Sequence, residues 1–198
     1  MKGMNRREAL KRTALVMGTA LSASTIAGIM QGCKAEPELT WVPVFFNEDQ
    51  AQLVSAMAGT IIPKTGTPGA VEAGVPKFIE DMVKDVYGQE EQASFIESLS
   101  AFDSACKEST GNAFNELDSG EQESLLKEYN TRMQAAISDR SQEPSMDVQF
   151  FYRMKELTVT GFFTSQPGAT EVLQYKAIPV EYHGCISLEE AGGKTWAT

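Results

Sequence analysis

Apolar residues between positions 47 and 158 recur at the three- and four-residue spacing of amphipathic helices, in blocks separated by turn-forming residues. The first block starts at Asn47, which forms a helix-capping pattern with Gln50 three residues later, and it stops at Pro63. The second block has Pro76 in its first turn and ends at Gly88. These patterns predict the first two helices of a domain.

Three further blocks predict three more helices along the middle of the chain. A third helix is predicted over about 90–109. A fourth has an acidic cap at Asp118 and runs to about Ile137. A fifth is capped by Ser145 and continues through Thr158. The five blocks together predict an all-α fold, a single compact domain of about five helices.

The helical period is predicted to end at Gly161, and the rest of the chain is aromatic and irregular. Residues 162–168 predict an aromatic turn, and residues 169–175 predict about two turns of helix. The apolar residues from Tyr175 onward follow neither a helical nor an alternating period. An irregular C-terminal arm is therefore expected. Two alternatives remain for it: the arm lies on a partner protein, or it packs over its own helices and closes their core.

The N-terminal 33 residues predict an export signal of the twin-arginine type. Arg6 and Arg7 precede an apolar run over 14–29, and Gly32 and Cys33 follow that run. The run is about 16 residues long, against roughly 20 for a helix that spans a bilayer, so a cleaved signal is favoured over a permanent anchor. The twin-arginine route carries folded cargo, often a protein with a cofactor or one bound to such a protein.

Cys33 occupies the position of a lipoprotein cleavage site. Lipidation there would make Cys33 the first residue of the mature chain and would hold the chain at a membrane surface through its acyl groups. The predicted organisation is a signal peptide over 1–32, a tether over 33–44 and a helical domain over 45–198. The expected location is the periplasm, with the chain anchored to the membrane or associated with it.

The charge balance argues against nucleic acid as a partner. The first 32 residues hold five of the 17 basic side chains and one of the 27 acidic ones, which leaves 12 basic against 26 acidic residues, a net charge of −14. A surface of this sign repels phosphate backbones. The acidic residues are spread over the predicted helix faces, so a solvated exterior is the favoured interpretation.

Few residues of the predicted mature chain are candidates for chemistry. After export, Cys106 and Cys185 could pair with each other, pair with a partner protein, or remain buried thiols. His183 is the single histidine, and its turn-like Tyr-His-Gly setting favours a packed or hydrogen-bonded side chain. The chain has no Cys-x-x-Cys pair and no phosphate-binding glycine loop. We therefore predict no catalytic residue, no metal site and no cofactor in this chain.

Three stretches resemble, in order, the hallmark sequences of the gluconate 2-dehydrogenase subunit 3 family. The first, over 61–79, reads IIPKTGTPGAVEAGVPKFI, and the second, over 160–168, reads TGFFTSQPG. The third combines Tyr175 with VEYHGC over 180–185. The resemblance extends over roughly 45–185, and a twin-arginine signal is usual in that family.

The resemblance implies a non-catalytic small subunit of a membrane-associated flavin dehydrogenase. In that family the large partner is a flavoprotein of the glucose–methanol–choline oxidoreductase class, which holds FAD, oxidises sugars or sugar acids and usually has no export signal of its own. The small subunit binds the flavoprotein and supplies the signal. Electrons then pass to a cytochrome subunit or to another acceptor.

The same hallmark stretches are where we expect the interface with the flavoprotein. The loop after the first helix is rich in turn residues, and the C-terminal arm offers aromatic anchors of the kind enriched in binding hot spots. The predicted interface residues are Thr65, Thr67, Pro68, Gly69, Gly74, Phe162, Phe163, Tyr175 and Tyr182. For Phe162 and Phe163, packing inside the chain's own core is the competing expectation.

Two other functions remain open from the sequence. One is an envelope lipoprotein that uses the same fold to bind a different partner. The other is an enzyme in its own right, with a site built from carboxylates. A flavoprotein that purifies together with this chain would favour the subunit, and turnover of a sugar by the chain alone would favour the enzyme.

Overall fold

The computed structural model describes residues 39–139, 141, 143–178 and 185–197. Within these residues the chain is helical and forms no strand. The α-helices are α1 (Glu48–Ile61), α2 (Val75–Asp81), α3 (Gln89–Thr110), α4 (Ser119–Ser138) and α5 (Met146–Thr164). The prediction of an all-α fold is confirmed. Shorter helical turns cover Met82–Val86, Phe114–Glu116 and Gly168–Val172.

Capping interactions set the starts of α1 and α4 where the sequence predicts them. The Gln50 N–H donates to the Asn47 side chain at 2.9 Å, and the Asn47 N–H donates back to the Gln50 side chain at 3.0 Å. Asp118 and Glu121 form the same reciprocal pair at the start of α4. Such caps stabilise a helix by about 1 kcal/mol each, since they satisfy N–H groups that the first turn leaves free.

The predicted end of the fifth helix is wrong, because α5 continues through Gly161 to Thr164. Residues 162–164 are therefore helical, and the predicted aromatic turn does not begin at Phe162. A Cβ atom at Gly161 would lie 2.5 Å from Cδ1 of Phe78 on α2. The glycine is thus required for close contact between two helices, and it does not break the helix that contains it.

Helix α5 lies at the centre of the domain and packs against α1, α2, α3 and α4. A group of aromatic side chains fills the space around it: Phe95, Phe102, Phe114, Tyr129, Phe150 and Phe151. Phe102 is fully buried, and its ring centroid lies 5.0 Å from that of Tyr129 and 5.5 Å from that of Phe150. These tilted and edge-on geometries are the favourable ones for aromatic pairs.

A buried carboxylate, Asp147, joins α4 to the first turn of α5. It accepts hydrogen bonds from Tyr129 Oη and Arg132 Nη2, each at 2.9 Å. Burial alone would raise the pKa of Asp147, but hydrogen bonds from Ser145 and Tyr129 and the charge of Arg132 outweigh burial and lower it. The ionised carboxylate therefore holds the two helices in a fixed relation.

Candidate partner-binding surface

The turn-rich loop between α1 and α2 is folded back on itself. The Ala70 N–H donates to the Ile62 carbonyl at 2.9 Å, and the Thr65 N–H donates to the Thr67 carbonyl at 3.1 Å. An ion pair between Lys64 and Glu72 at 3.5 Å spans the loop. The loop is thus ordered by its own hydrogen bonds.

At two positions of this loop the backbone geometry requires or favours glycine. A Cβ atom at Gly69 would lie 2.5 Å from the backbone nitrogen of Lys64, so no other residue fits there without a backbone shift. Gly74 precedes α2 with a φ of +76°, in the left-handed region that side chains disfavour. Gly69 is buried, whereas Gly74 is exposed and offers backbone surface. Gly69 therefore shapes the loop from inside.

The loop's predicted interface side chains differ in how far they reach solvent. Thr65 is exposed, while Thr67 and Pro68 are half-buried. Together they form an accessible ridge on a loop whose base is closed. A ridge of this kind keeps its shape before it meets a partner, which lowers the entropy lost on binding.

The first and second hallmark stretches meet in space, where Phe78 of α2 contacts Gly161 of α5. The next two residues point in opposite directions relative to the core. Phe162 is 3% exposed and completes the core, as the competing expectation stated, whereas Phe163 is 39% exposed. Their rings touch edge to face at a centroid distance of 5.3 Å. Of the pair, Phe163 can anchor a partner.

Gln174 holds the last described residues of the C-terminal arm. The Gln174 N–H donates to the Thr195 carbonyl at 2.8 Å, and the Ala197 N–H donates to the Gln174 carbonyl at 2.7 Å. The Gln174 side-chain amide also donates to the carbonyls of Ala191 and Lys194. These bonds bring residues 191–197 back beside the end of the last helical turn.

The arm leaves its large apolar side chains in solvent. The exposed set is Tyr175, Ile178, Ile186, Leu188 and Trp196. Tyr175 is 62% exposed and Ile178 is 77% exposed. In its described residues the arm therefore does not close the core. Exposed apolar groups gathered on one segment are typical of a protein-binding surface.

Glu80, a buried carboxylate that holds residues 41–46 at the N-terminal end of the described domain, was not predicted from the sequence. Glu80 lies on α2 and is only 2% exposed. Its Oε1 accepts the backbone N–H groups of Val44, Phe45 and Phe46 at 2.8, 2.7 and 3.0 Å. Its Oε2 accepts the indole N–H of Trp41 at 2.7 Å. Glu80 is followed by Asp81 in an acidic chain, so nothing in the sequence distinguishes it from a surface acid.

The hydrogen bonds to Glu80 favour the ionised form of its carboxyl group. Burial alone would raise the pKa of this carboxyl, but the N–H donors of Phe46, Phe45, Trp41 and Val44 outweigh burial and lower the pKa. The ionised form therefore holds residues 41–46 against α2. The ordered part of the domain accordingly includes Trp41 and Val44, which the sequence assigns to the tether.

The two remaining cysteines are free in the structure and lie in different environments. Cys106 is buried, and its thiol points to the Asn112 carbonyl at 3.6 Å. Burial raises the pKa of this thiol, so it is a weak nucleophile. Cys185 is exposed on the arm. The two are not bonded to each other, and of the alternatives open from the sequence Cys106 adopts the buried thiol.

Several sequence predictions concern residues outside the described ranges. These are Arg6, Arg7, Cys33, Tyr182 and His183. Across the described ranges, His, Cys, Asp and Glu side chains form no group of three or more that could hold a metal ion. In those same ranges no helix has both the length and the apolar character needed to cross a membrane.

The family model for gluconate 2-dehydrogenase subunit 3 matches residues 48–181 of this chain. The match covers most of the sequence and all five α-helices, and the chain belongs to this family. It is thus related to an accessory subunit of a dehydrogenase complex. Searches of curated proteins and of solved structures gave no match.

Proposed function

We propose that this chain is the non-catalytic small subunit of an exported flavin dehydrogenase that acts on sugars or sugar acids. The partner is a flavoprotein of the glucose–methanol–choline class, and FAD belongs to that partner. The observation that carries the proposal is family membership combined with the exposed apolar arm. An accessory subunit needs a surface for its enzyme, and the arm supplies one.

The interface of this proposal has two parts. One part is the exposed ridge of Thr65, Thr67 and Pro68 on the self-bonded loop. The other part is aromatic and consists of Phe163, Tyr175 and Trp196. Large aromatic side chains bury much area at little conformational entropy, which makes them frequent hot spots.

The small subunit also supplies the export signal in this proposal. Arg6 and Arg7 direct the folded complex to the twin-arginine route, and lipidated Cys33 holds the complex at the periplasmic face of the membrane. A cytochrome subunit is the expected next electron acceptor. Glu80 supports this role, because it binds the backbone of residues 44–46, which connect the predicted signal and tether to the helical domain.

Affinity purification from the native cell tests the binding role. A tag inserted at Ser141, in the exposed turn between α4 and α5, leaves the proposed interface free. The expected result is a co-purified protein with the absorbance spectrum of a flavin. Purification of the chain without any flavoprotein, or sugar turnover by the chain alone, would overturn the proposal.

Replacing the arginine pair tests the carrier role. Arg6→Lys together with Arg7→Lys should keep both this chain and the flavoprotein in the cytoplasm, as measured by cell fractionation. Continued export of the flavoprotein would refute the carrier role. Cys33→Ser should release the mature chain from the membrane fraction when the flavoprotein gene is deleted, and that deletion removes anchoring through the complex.

A further inference from the structure

A half-open groove of about 820 Å³ runs between α1, α4 and α5. Its apolar surface comes from Ala56, Ile61, Leu126 and Phe151 together with Pro63 and Val71 of the first hallmark loop. The groove thus continues from the loop that forms part of the proposed interface. The Asp147 cluster joins two of its walls, α4 and α5, and Thr60 of α1 bonds to Gln122 of α4, so the three walls are connected within the chain.

Three polar side chains of the groove, those of Thr60, Gln122 and Lys155, make hydrogen bonds within the chain. Thr60 Oγ1 and Gln122 Oε1 are 3.1 Å apart, and Gln122 Nε2 donates to the Phe114 carbonyl at 2.9 Å. Lys155 Nζ donates at 2.5 Å to Asn130 Oδ1, an acceptor that carries no charge. The lysine's positive charge is therefore oriented into the groove without a carboxylate beside it.

Lys155 differs in this respect from the other lysines of the helical body. Each of those in the described range 48–164 lies within 3.5 Å of a carboxylate: Lys64, Lys77, Lys84, Lys107 and Lys127. The whole sequence has 27 acidic residues and 17 basic ones, so an acidic neighbour is easily available. A half-buried lysine without one, on the wall of an apolar groove, is complementary to a carboxylate brought by another molecule.

We propose that this groove receives a segment of the flavoprotein large subunit in which apolar residues flank an aspartate or glutamate. The apolar side chains cover Leu126 and Phe151, and the carboxylate pairs with Lys155. This proposal rests on the proposed function and adds a contact with the same partner next to the loop between α1 and α2. Lys127 on the same wall is already paired with Glu123 at 2.6 Å, so Lys155 is the groove lysine left for a carboxylate of the partner.

Charge reversal at the groove tests this proposal. Lys155→Glu should lower the flavoprotein recovered with the tagged chain at least about tenfold, because it places like charges together. Lys155→Met, which keeps the apolar stem, should lower recovery by a smaller factor. Lys107→Glu is the matched control, since Lys107 is exposed on α3 outside the groove and its replacement should leave recovery unchanged.

Circular dichroism melting of the variants shows that each is folded before capture is compared. Equal recovery with wild-type chain and with Lys155→Glu would overturn the groove proposal and leave the subunit function intact. Failure of the wild-type chain to recover any flavoprotein would instead overturn the function itself. The two failures are therefore distinguishable.

Photo-crosslinking identifies the occupant directly. A photoreactive amino acid in place of Glu123, on the groove wall, should attach to a large-subunit peptide with an acidic residue among apolar ones. Attachment to residues 1–38 of this same chain, or to a second copy, would overturn the proposal. Protection from crosslinking by a small anionic metabolite, with no peptide attached in the complex, would also overturn it.

Discussion

The two non-helical ends of the described domain are each held by one long polar side chain, and they differ in how far they bury their aromatic residues. Residues 41–46 are held by Glu80, which is buried and charged. The C-terminal arm is held by Gln174, which is half-buried and neutral. Phe46 completes the core at one end, whereas Trp196 remains 47% exposed at the other.

This difference separates a part needed for folding from a part available for binding. Hydrogen bonds to an ionised carboxylate are roughly twice as strong as neutral ones. Glu80 therefore contributes to stability through both its hydrogen bonds and the burial of Phe46 beside them. Gln174 holds a loop whose apolar residues contribute little to stability in the free chain, since they remain in water.

The first prediction removes Glu80, the charged side chain that holds residues 41–46. Glu80→Ala leaves three buried or half-buried backbone N–H groups and the Trp41 indole without their acceptor, and should lower the free energy of unfolding by about 3 kcal/mol. Urea denaturation followed by circular dichroism measures the change. A loss below about 0.5 kcal/mol would contradict the importance assigned to Glu80.

The second prediction uses pH, which should weaken the hydrogen bonds to Glu80 and leave those of the Gln174 amide unchanged. The pKa of Glu80 is lowered in the folded state, so its contribution to stability is fully present above the unfolded value of about 4.3 and is lost as the pH falls through the folded pKa. Hydrogen-exchange protection of the Phe45 and Phe46 amides should fall in this acidic range. Protection of the Ala197 amide, held by neutral Gln174, should not follow the same titration.

Glu80→Gln is the control for that titration, because it removes the ionisable group and retains a side chain of the same length. The variant should be less stable than the natural chain near neutral pH, and the difference should shrink as the pH is lowered. A constant difference across pH would show that ionisation of Glu80 is not the cause.

The third prediction removes the side chain of Gln174, the neutral group that holds the C-terminal arm. Gln174→Ala deletes the side-chain donors to Ala191 and Lys194 and should lower the free energy of unfolding by about 1 kcal/mol or less. Exchange of the Ala197 amide should accelerate, while exchange in α1 to α5 stays unchanged. Global destabilisation as large as that of Glu80→Ala would show that the arm is part of the core after all.

The fourth prediction has a small effect on folding and a large one on binding. Trp196→Ala should lower the free energy of unfolding by about 1 kcal/mol or less, since about half of the side chain remains in solvent and the arm lies outside the core. Recovery of the flavoprotein should nevertheless fall about tenfold, as expected for an aromatic anchor. Ile137→Ser, at an apolar position on α4 that is 52% exposed and lies outside the groove, is the control and should leave recovery unchanged.

Local features of the sequence account for the parts of the fold that were predicted. Asn47 with Gln50, and Asp118 with Glu121, set the starts of two helices through contacts only three residues apart. Apolar spacing predicts the remaining helices for the same reason, because it depends on the helical period alone. The hallmark stretches predict the family, which the family model confirms.

The features that were not predicted depend on residues far apart in the chain. The sequence predicts a helix end at Gly161, because glycine in a helix costs about 1 kcal/mol relative to alanine. In the structure the close packing of Phe78 against Gly161 offsets this cost. No pattern in the sequence singles out Glu80, because its hydrogen-bond donors lie more than 30 residues earlier. The groove beside Lys155 requires three helices and a loop to be placed together.

The sequence by itself therefore determined the helical class, the helix starts, the family and the charge that argues against nucleic acid, since these follow from local spacing and composition. Tertiary structure alone decided which acid is buried, which aromatic residues remain exposed and which lysine of the described helical body has no carboxylate beside it. Burial and charge pairing depend on which distant segments come into contact. No local pattern contains that information.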